Sequence, residues 1–467
     1  MNEVKNNSYF ETAPIGRLMA KFAIPCIISL VVNALYNIVD QIFIGRGVGY
    51  LGNGATSVVF PITVIATALA LLIGDGGAAY LSLKLGEGKQ KDAEKGVGNS
   101  ITMLFIAGLL LLAISLILLP QMLVLTGATE AILPYALAYG RIIAVGLPFV
   151  VISIGLNSII RADGNPRLAM ISMLLGAVTN TILDPLFIFA FHWGVEGAAL
   201  ATILGQIISF LVSFAYVRKL QSVKLNRQSF YLSGKIFTSC LSLGISSFIT
   251  QIAIVIMTSL CNNLLYQYGA SSKYGADIPI TVIGIVMKVN QVLISILIGI
   301  SSGAQPILGY NYGAGNMKRV KKTYGAMLLA CLAVSIISCI VFQCSPQSIV
   351  NIFGSESDLY NEFATKAIRI FLLMCIPTAY QVSSSIFLQA IGKPLLSMIS
   401  ALLRQLIIFV PAALILPQSM GLDGVLWAAP ISDLSSAIIT LFMIIYAINQ
   451  INHKETEISS LDDTSTP

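Results

Sequence analysis

Four polar residues stand at spacings i, i+3, i+4 and i+7 in an otherwise apolar run: Asn33, Tyr36, Asn37 and Asp40. On a helix they share one face. In another apolar run Asn180 and Asp184 are four apart, also on one face, with Pro185 following. Asn157 lies near the end of the run before it, and Thr202 sits in the run after. A carboxylate inside a membrane costs a few kcal/mol or more, so its presence needs a reason. If these faces converge, two acids, several amides and a hydroxyl make an oxygen-rich cluster around Asp40, Asn180, Asp184 and Thr202. Such a cluster suits a sodium ion held by oxygen ligands, or equally a proton, because burial disfavours the charged carboxylate. The plainer alternative is that both acids lie near the ends of their helices and are solvated or capping.

Other chemistry is weakly represented. With only His192 and His453, a structural or catalytic metal site is not expected. Seven cysteines form no CxxC pair and read as small apolar residues packed between helices. The stretch Gly74-Asp75-Gly76-Gly77 resembles a phosphate loop only superficially, since no Lys-Ser/Thr follows and it lies in an apolar run. Neither an HExxH nor an intramembrane Ser/His pairing is present, which argues against an enzyme. Met170, Met173, Phe187 and Phe189 suit an adaptable pocket or ordinary packing. Further polar residues fall in the apolar runs of the second half: Gln251, Lys288, Asn290, Gln291, Gln381, Arg404 and Asp433. Lys288 and Arg404 are candidates for gating or ion pairing, or as packing partners of Asp433.

The elements that carry these residues follow from composition. The 467 residues are 56% apolar and only 10% charged, with a mean hydropathy of +0.85. A soluble domain has about a quarter of its residues charged and would have no surface for so much apolar side chain. Windows of about 20 apolar residues predict spans over 17–44, 55–83, 97–119, 135–158, 167–191, 195–218, 236–267, 279–308, 323–345, 363–390, 396–416 and 421–448. The fold class expected is thus an all-α polytopic membrane protein of about twelve helices. Pro25 falls within the first span and is a candidate kink.

Lys and Arg cluster in alternate loops, including Lys84, Lys89, Lys91 and Lys95, then Arg218, Lys219, Lys224, Arg227 and Lys235, then Lys318, Arg319, Lys321 and Lys322. The loops between them hold only Arg46 and Lys273. This bias predicts both termini in the cytoplasm. It also turns the formal charge of +6 into a topology signal, so no nucleic-acid partner is expected. The polar Met1–Ser8 is not expected to be part of a cleaved signal. The tail after Asn452, ending in Asp462-Asp463-Thr464-Ser465-Thr466-Pro467, is expected to be disordered.

An internal repeat divides the chain. Gly164-Asn165-Pro166, a span, then Gly194-Val195-Glu196-Gly197 recurs as Gly392-Lys393-Pro394, a span, then Gly421-Leu422-Asp423-Gly424. Gly76, Gly86, Gly88 and Lys91 recur at one offset as Gly303, Gly313, Gly315 and Lys318. The expected organisation is an N-lobe over 1–217, a cytoplasmic linker over 218–235, a C-lobe over 236–450 and a polar tail over 451–467. Parallel halves of this kind are one plan of alternating-access transporters. At the repeat positions of Asp40 and Asp184 the second half has Asn262 and Ala412, so acid chemistry is concentrated in the first half.

Three stretches resemble one known family: Tyr36-Asn-Ile-Val-Asp40-Gln-Ile-Phe-Ile-Gly45 after Pro25, Arg161-Ala-Asp-Gly164-Asn-Pro166, and Asn180-Thr-Ile-Leu-Asp184-Pro185 with Gly194-Val-Glu-Gly197 and Thr202. They are similar to signatures of the multidrug and toxic compound extrusion (MATE) family, nearest to its DinF branch and the MepA-like exporters. The resemblance implies two pseudo-symmetric six-helix lobes around a V-shaped central cavity. It also implies export of bulky, often cationic organic compounds in exchange for protons or sodium, with no other cofactor. Asp40, Asn180, Asp184 and Thr202 match the family's N-lobe cation site and Asn157 its neighbouring polar position; Asn33, Tyr36, Asn37 and Asn157 are the candidate substrate-binding residues. Gln251 stands where the NorM branch has an acid, which favours coupling in the N-lobe. One chain holds both lobes, so a monomer in the cytoplasmic membrane would suffice. The rival expectation is a lipid-linked oligosaccharide flippase of related fold, which would need a strongly cationic cavity.

Overall fold

The computed structural model describes residues 10–275, 277–353 and 357–464, and among these it contains helices and no strand. Met1–Ser8 and the final Ser465-Thr466-Pro467 lie outside the described residues. The N-lobe comprises α1 (Ile15–Gly47), α2 (Tyr50–Gly86), α3 (Gln90–Leu125), α4 (Leu133–Ala162), α5 (Pro166–Pro185) and α6 (Gly194–Val217). A 3-10 turn over Arg227–Phe230 follows, then α7 (Gly234–Ala270), α8 (Asp277–Gly313), α9 (Met317–Cys344), short α10 (Pro346–Phe353), α11 (Asp358–Phe371), α12 (Cys375–Ala390), α13 (Pro394–Leu402), α14 (Phe409–Met420) and α15 (Leu422–Thr464). Among the described residues, eleven helices or helix runs are long and apolar enough to cross a membrane, and the bent pair α11–α12, taken as one span, makes twelve.

Most helices extend past the sequence windows. The 37 residues of α2, α7 and α8 correspond to ~55 Å at about 1.5 Å per residue. Apolar side chains cover the outward faces, with Leu110, Ile117, Leu211 and Ile439 well exposed, as lipid contact requires. The tenth span breaks by 47° between Phe371 and Cys375. The fifth and eleventh are widened by π-helical turns at Leu186–Ala190 and Leu403–Ile407. The first of these directly follows Pro185, whose missing N–H cannot continue the α ladder. The tail is a correction to expectation: instead of disorder after Asn452, α15 runs to Thr464, supported by Lys321 on α9, which pairs with Glu455 at 2.7 Å and reaches Asn452.

The halves meet through four helices in a pseudo-two-fold arrangement. α2 packs on α7 and α1 on α8, which are equivalent pairs under the repeat, while α2 and α8 touch near the axis. The contact is closest at the end of the bundle that carries the chain termini. There a Cβ on Gly76 would lie 2.0 Å from the Cys240 carbonyl oxygen, and one on Gly86 2.0 Å from that of Tyr310. Only glycine permits so close a helix approach. Lower α1 follows the same rule, with Gly303 of α8 against Ala23 and Gly299 against Ile27. Toward the opposite end α1 instead packs on α5, where Gly47 meets Ile188. One helix therefore has its terminal half on the C-lobe and its far half on the N-lobe, with Pro25 in the lower part.

The linker is ordered against the N-lobe. Asn99 of α3 donates to the carbonyls of Ser229 (3.1 Å) and Tyr231 (3.0 Å) and accepts from the Ser233 N–H at 2.8 Å. Asp163, just past α4, accepts from the backbone N–H groups of Gln221 and Ser222 and from the Tyr216 hydroxyl. These bonds satisfy backbone groups that have no helix to pair them.

Candidate functional site

The far half of α1 brings Asp40 against α5, where the Asp40 and Asp184 carboxyls come within hydrogen-bonding reach of each other. Asp184 is 0% exposed and Asn180 2%. The Asn180 amide donates to Asp184 Oδ1 at 3.2 Å and to Thr202 Oγ1 of α6 at 3.3 Å. Asp40, Asn180, Asp184 and Thr202 therefore form one cluster at the meeting of α1, α5 and α6.

Three oxygens in this cluster are buried without a hydrogen-bond donor: Asp40 Oδ1, Asn180 Oδ1 and Asp184 Oδ2. Buried polar atoms are ordinarily paired, and each orphan needs an explanation. Here carboxylate and amide acceptors from two helices are short of donors, which is the chemistry that accepts a proton or a hard cation such as sodium. Two carboxyls so close cannot both hold an unshared negative charge at low cost without one of the two.

The remaining expected residues divide. Tyr36 reaches Gln206 of α6 and faces both acids, so it belongs to the cluster. Asn33 and Asn37 lie on the same helix, closer than Asp40 to its terminal end. Asn37 is exposed and donates to the Asn33 carbonyl at 2.8 Å and its side-chain oxygen at 3.1 Å. Asn157 is not brought to the cluster. It is buried at the terminal end of α4, accepting from Ser213 at 3.0 Å within a set of hydroxyls formed by Ser153, Ser172, Ser209 and Ser213. Tyr139 of α4 does face the acids, and the 18 residues between Tyr139 and Asn157 place the latter ~27 Å further along the helix at about 1.5 Å per residue.

Sequence reading overlooked Tyr139 and Gln206. Gln206 is four residues after Thr202 and hence on its face, a usable signal. Tyr139 shares its helix with Tyr135 and no acid or amide stands at helical spacing from it, so nothing in its run points to the cluster.

Among the described residues the C-lobe shows no equivalent buried acid pair. Arg404 beside the π turn donates through Nε to Asp433 of α15 at 2.8 Å, next to Asn290, Thr378 and Cys375. The guanidinium neutralises the carboxylate, in contrast to the N-lobe pair. Ser432 donates to the Arg404 carbonyl and holds the same helices together. Lys288 is half-buried on α8 and is not among the residues lining the small cavity at this ion pair.

The MatE family profile matches residues 25–186 and 247–415, one segment in each half. The chain belongs to the MatE family. Curated relatives of this MatE protein include the multidrug export protein MepA of Staphylococcus haemolyticus (strain JCSC1435), 27% identical over 441 residues, covering 93% of this chain and 94% of the relative. MepA of Staphylococcus aureus (strain MSSA476) is 27% identical over 446 residues, covering 94% and 95%. It is thus a MepA-like member. Among solved structures, an outward-facing multidrug resistance MATE transporter of the MOP superfamily superposes with a TM-score of 0.88 at 22% identity, covering 95% of this chain and 98% of that one. A MATE structure described as the straight conformation gives 0.89 at 22% identity, covering 96% and 99%. These matches establish the fold of this MatE chain as that of a multi-pass membrane transporter and not an enzyme.

Proposed function

We propose that this MatE protein is a cation-coupled antiporter that exports amphipathic, often cationic compounds across the cytoplasmic membrane, with both termini inside. The observation that carries the coupling is the opposed pair Asp40 and Asp184, with orphan oxygens on Asp40, Asn180 and Asp184. The names of the MepA relatives support the substrate class. The acidic cluster favours cations over a lipid-linked pyrophosphate. Nothing beyond the coupling ion is needed as a cofactor, and one chain supplies both lobes, so a monomer suffices.

A proton or sodium ion between the two carboxyls ties far α1 to α5. When the ion leaves, like-charge repulsion releases that half of α1. Because the terminal half of α1 packs on α8 of the other lobe, the ion's presence is communicated to the lobe arrangement. The shift so produced is no larger than the ion's differential affinity for the two states. An exported cation engaging the same acids, or Tyr36, Asn33 and Asn37 on the same helix, competes with the ion for that tie.

The test is ethidium transport into energised inverted vesicles, with proton and sodium gradients varied separately. Transport is expected to collapse with one of the two gradients, and in Asp40→Asn and Asp184→Asn. Full ion-coupled transport by Asp40→Asn would show the mechanism to be wrong.

A further inference from the structure

The glycine-flanked Asp75, which has no part in the ion cluster, lies in the α2–α7 junction between the lobes. Its two oxygens face different halves. Oδ1 accepts from Ser158 of α4 at 2.7 Å, with Arg161 at 3.8 Å from the same oxygen and donating to Ser158 at 2.9 Å. Oδ2 accepts from Ser247 of α7 at 2.9 Å. Ser247 is in turn reached by Gln389 of α12 at 3.3 Å, which also donates to the Leu243 carbonyl at 2.9 Å. A continuous polar chain thus runs from α4 through α2 and α7 to α12, crossing from one lobe to the other at a single carboxylate oxygen.

From this geometry we infer that Asp75 and Ser247 form a latch that holds the terminal end of the transporter closed, a positioning device resting on the alternating-access reading above. The glycines beside the pair make it possible. Gly76 admits the Cys240 carbonyl, and Gly244 lies against the Leu72 carbonyl, so α2 and α7 approach closely enough for a side chain as short as aspartate to span the gap. The anchor is one-sided. Ser158 and Arg161 move with Asp75 because all three belong to the N-lobe, whereas Ser247 moves with the C-lobe. Opening the terminal end therefore breaks the Ser247 bond alone and gives Oδ2 to water.

The sign of the effect depends on which partner is removed. Without Ser247, the closed arrangement keeps a carboxylate oxygen pressed into the junction with no donor, which is costly. Without the carboxylate, both the bond and that cost disappear together. Ser247→Ala is therefore the variant that opens the latch, and adding Asp75→Ala relieves it.

Spin labels on Lys91→Cys and Lys318→Cys, exposed positions on the terminal turns of the two lobes, in the full chain lacking Cys339 and Cys344, report the separation by pulsed dipolar spectroscopy. Ser247→Ala is expected to raise the terminal-open population relative to closed by about tenfold or more. Ser247→Thr, which keeps the donor, restores the original ratio. In an Asp75→Ala background Ser247→Ala has little further effect. An unchanged ratio in Ser247→Ala, or the same shift with Ala at position 75, overturns the latch. The coupling reading is judged separately, by whether the ion changes the distance in the unsubstituted protein. A shift with Ser247→Ala but no ion response would sustain the latch and defeat the antiport mechanism.

Discussion

A methyl group at Gly244 should bias the whole transporter. A Cβ there would lie 1.8 Å from the Leu72 carbonyl oxygen, 2.6 Å from its carbon and 3.0 Å from its Cα, all backbone atoms of α2. No side-chain rotation relieves such a clash, so α2 and α7 must part by more than about 1 Å to restore ordinary contact. Overpacking of this kind costs about 1–3 kcal/mol. The cost falls on the arrangement with α2 against α7 and not on one in which these helices have separated. At about 1.4 kcal/mol per tenfold, the closed-to-open ratio at the terminal end falls by about 5- to 140-fold in Gly244→Ala. The spin-label pair on Lys91→Cys and Lys318→Cys measures this ratio, and steady ethidium transport measures its consequence. Gly325, whose added Cβ meets nothing within 4 Å, provides the control substitution Gly325→Ala. Wild-type distances and transport in Gly244→Ala would refute the claim that backbone contact at this junction defines the closed end.

Two further outcomes follow from buried bonds. Asn99→Ala removes three of the bonds that fasten the linker to α3 and leaves backbone groups of Ser229, Tyr231 and Ser233 without these partners; a loss of about 2–4 kcal/mol is expected, read as a lowered thermal midpoint and faster proteolytic cleavage within 218–233. Arg404→Leu strands Asp433 and is expected to destabilise by about 3–5 kcal/mol, while Arg404→Leu with Asp433→Leu comes close to neutral. Thermal unfolding in detergent checks both, and a double variant as unstable as the single would indicate a role for the charges beyond pairing.

How much was legible in the sequence depended on whether a residue's chemistry clashed with its surroundings. Asp40 and Asp184 stand out because carboxylates are costly in apolar helices, and helical spacing puts Asn180 beside Asp184. Spacing along one helix says nothing about depth on its neighbour, so Asn157 was grouped with a cluster from which α4 carries it far away, while Tyr139 on the same helix went unnoticed. The pairing of Arg404 with Asp433 was one of several roles the sequence left open, since two opposite charges in one lobe do not by themselves say that they meet. The break after Phe371 has no glycine to announce it. The polar tail lacks the apolar pattern of a helix, yet Lys321 supports it from outside its own sequence. The glycines around Asp75 resemble a phosphate loop only superficially; what they mark is the close approach of another helix's backbone, a meaning visible only once α7 is in place.

The central claim is that one ion moves against substrate through Asp40 and Asp184. Its most direct test is counterflow in proteoliposomes: an ethidium gradient is imposed with no ion gradient, and internal proton and sodium concentrations are followed optically. Substrate leaving down its gradient is expected to drive one of the two ions in the opposite direction, in fixed ratio, and Asp184→Asn is expected to abolish that ion movement. Ethidium transport with no opposing ion flux, or ion exchange that persists in Asp184→Asn, would contradict the account.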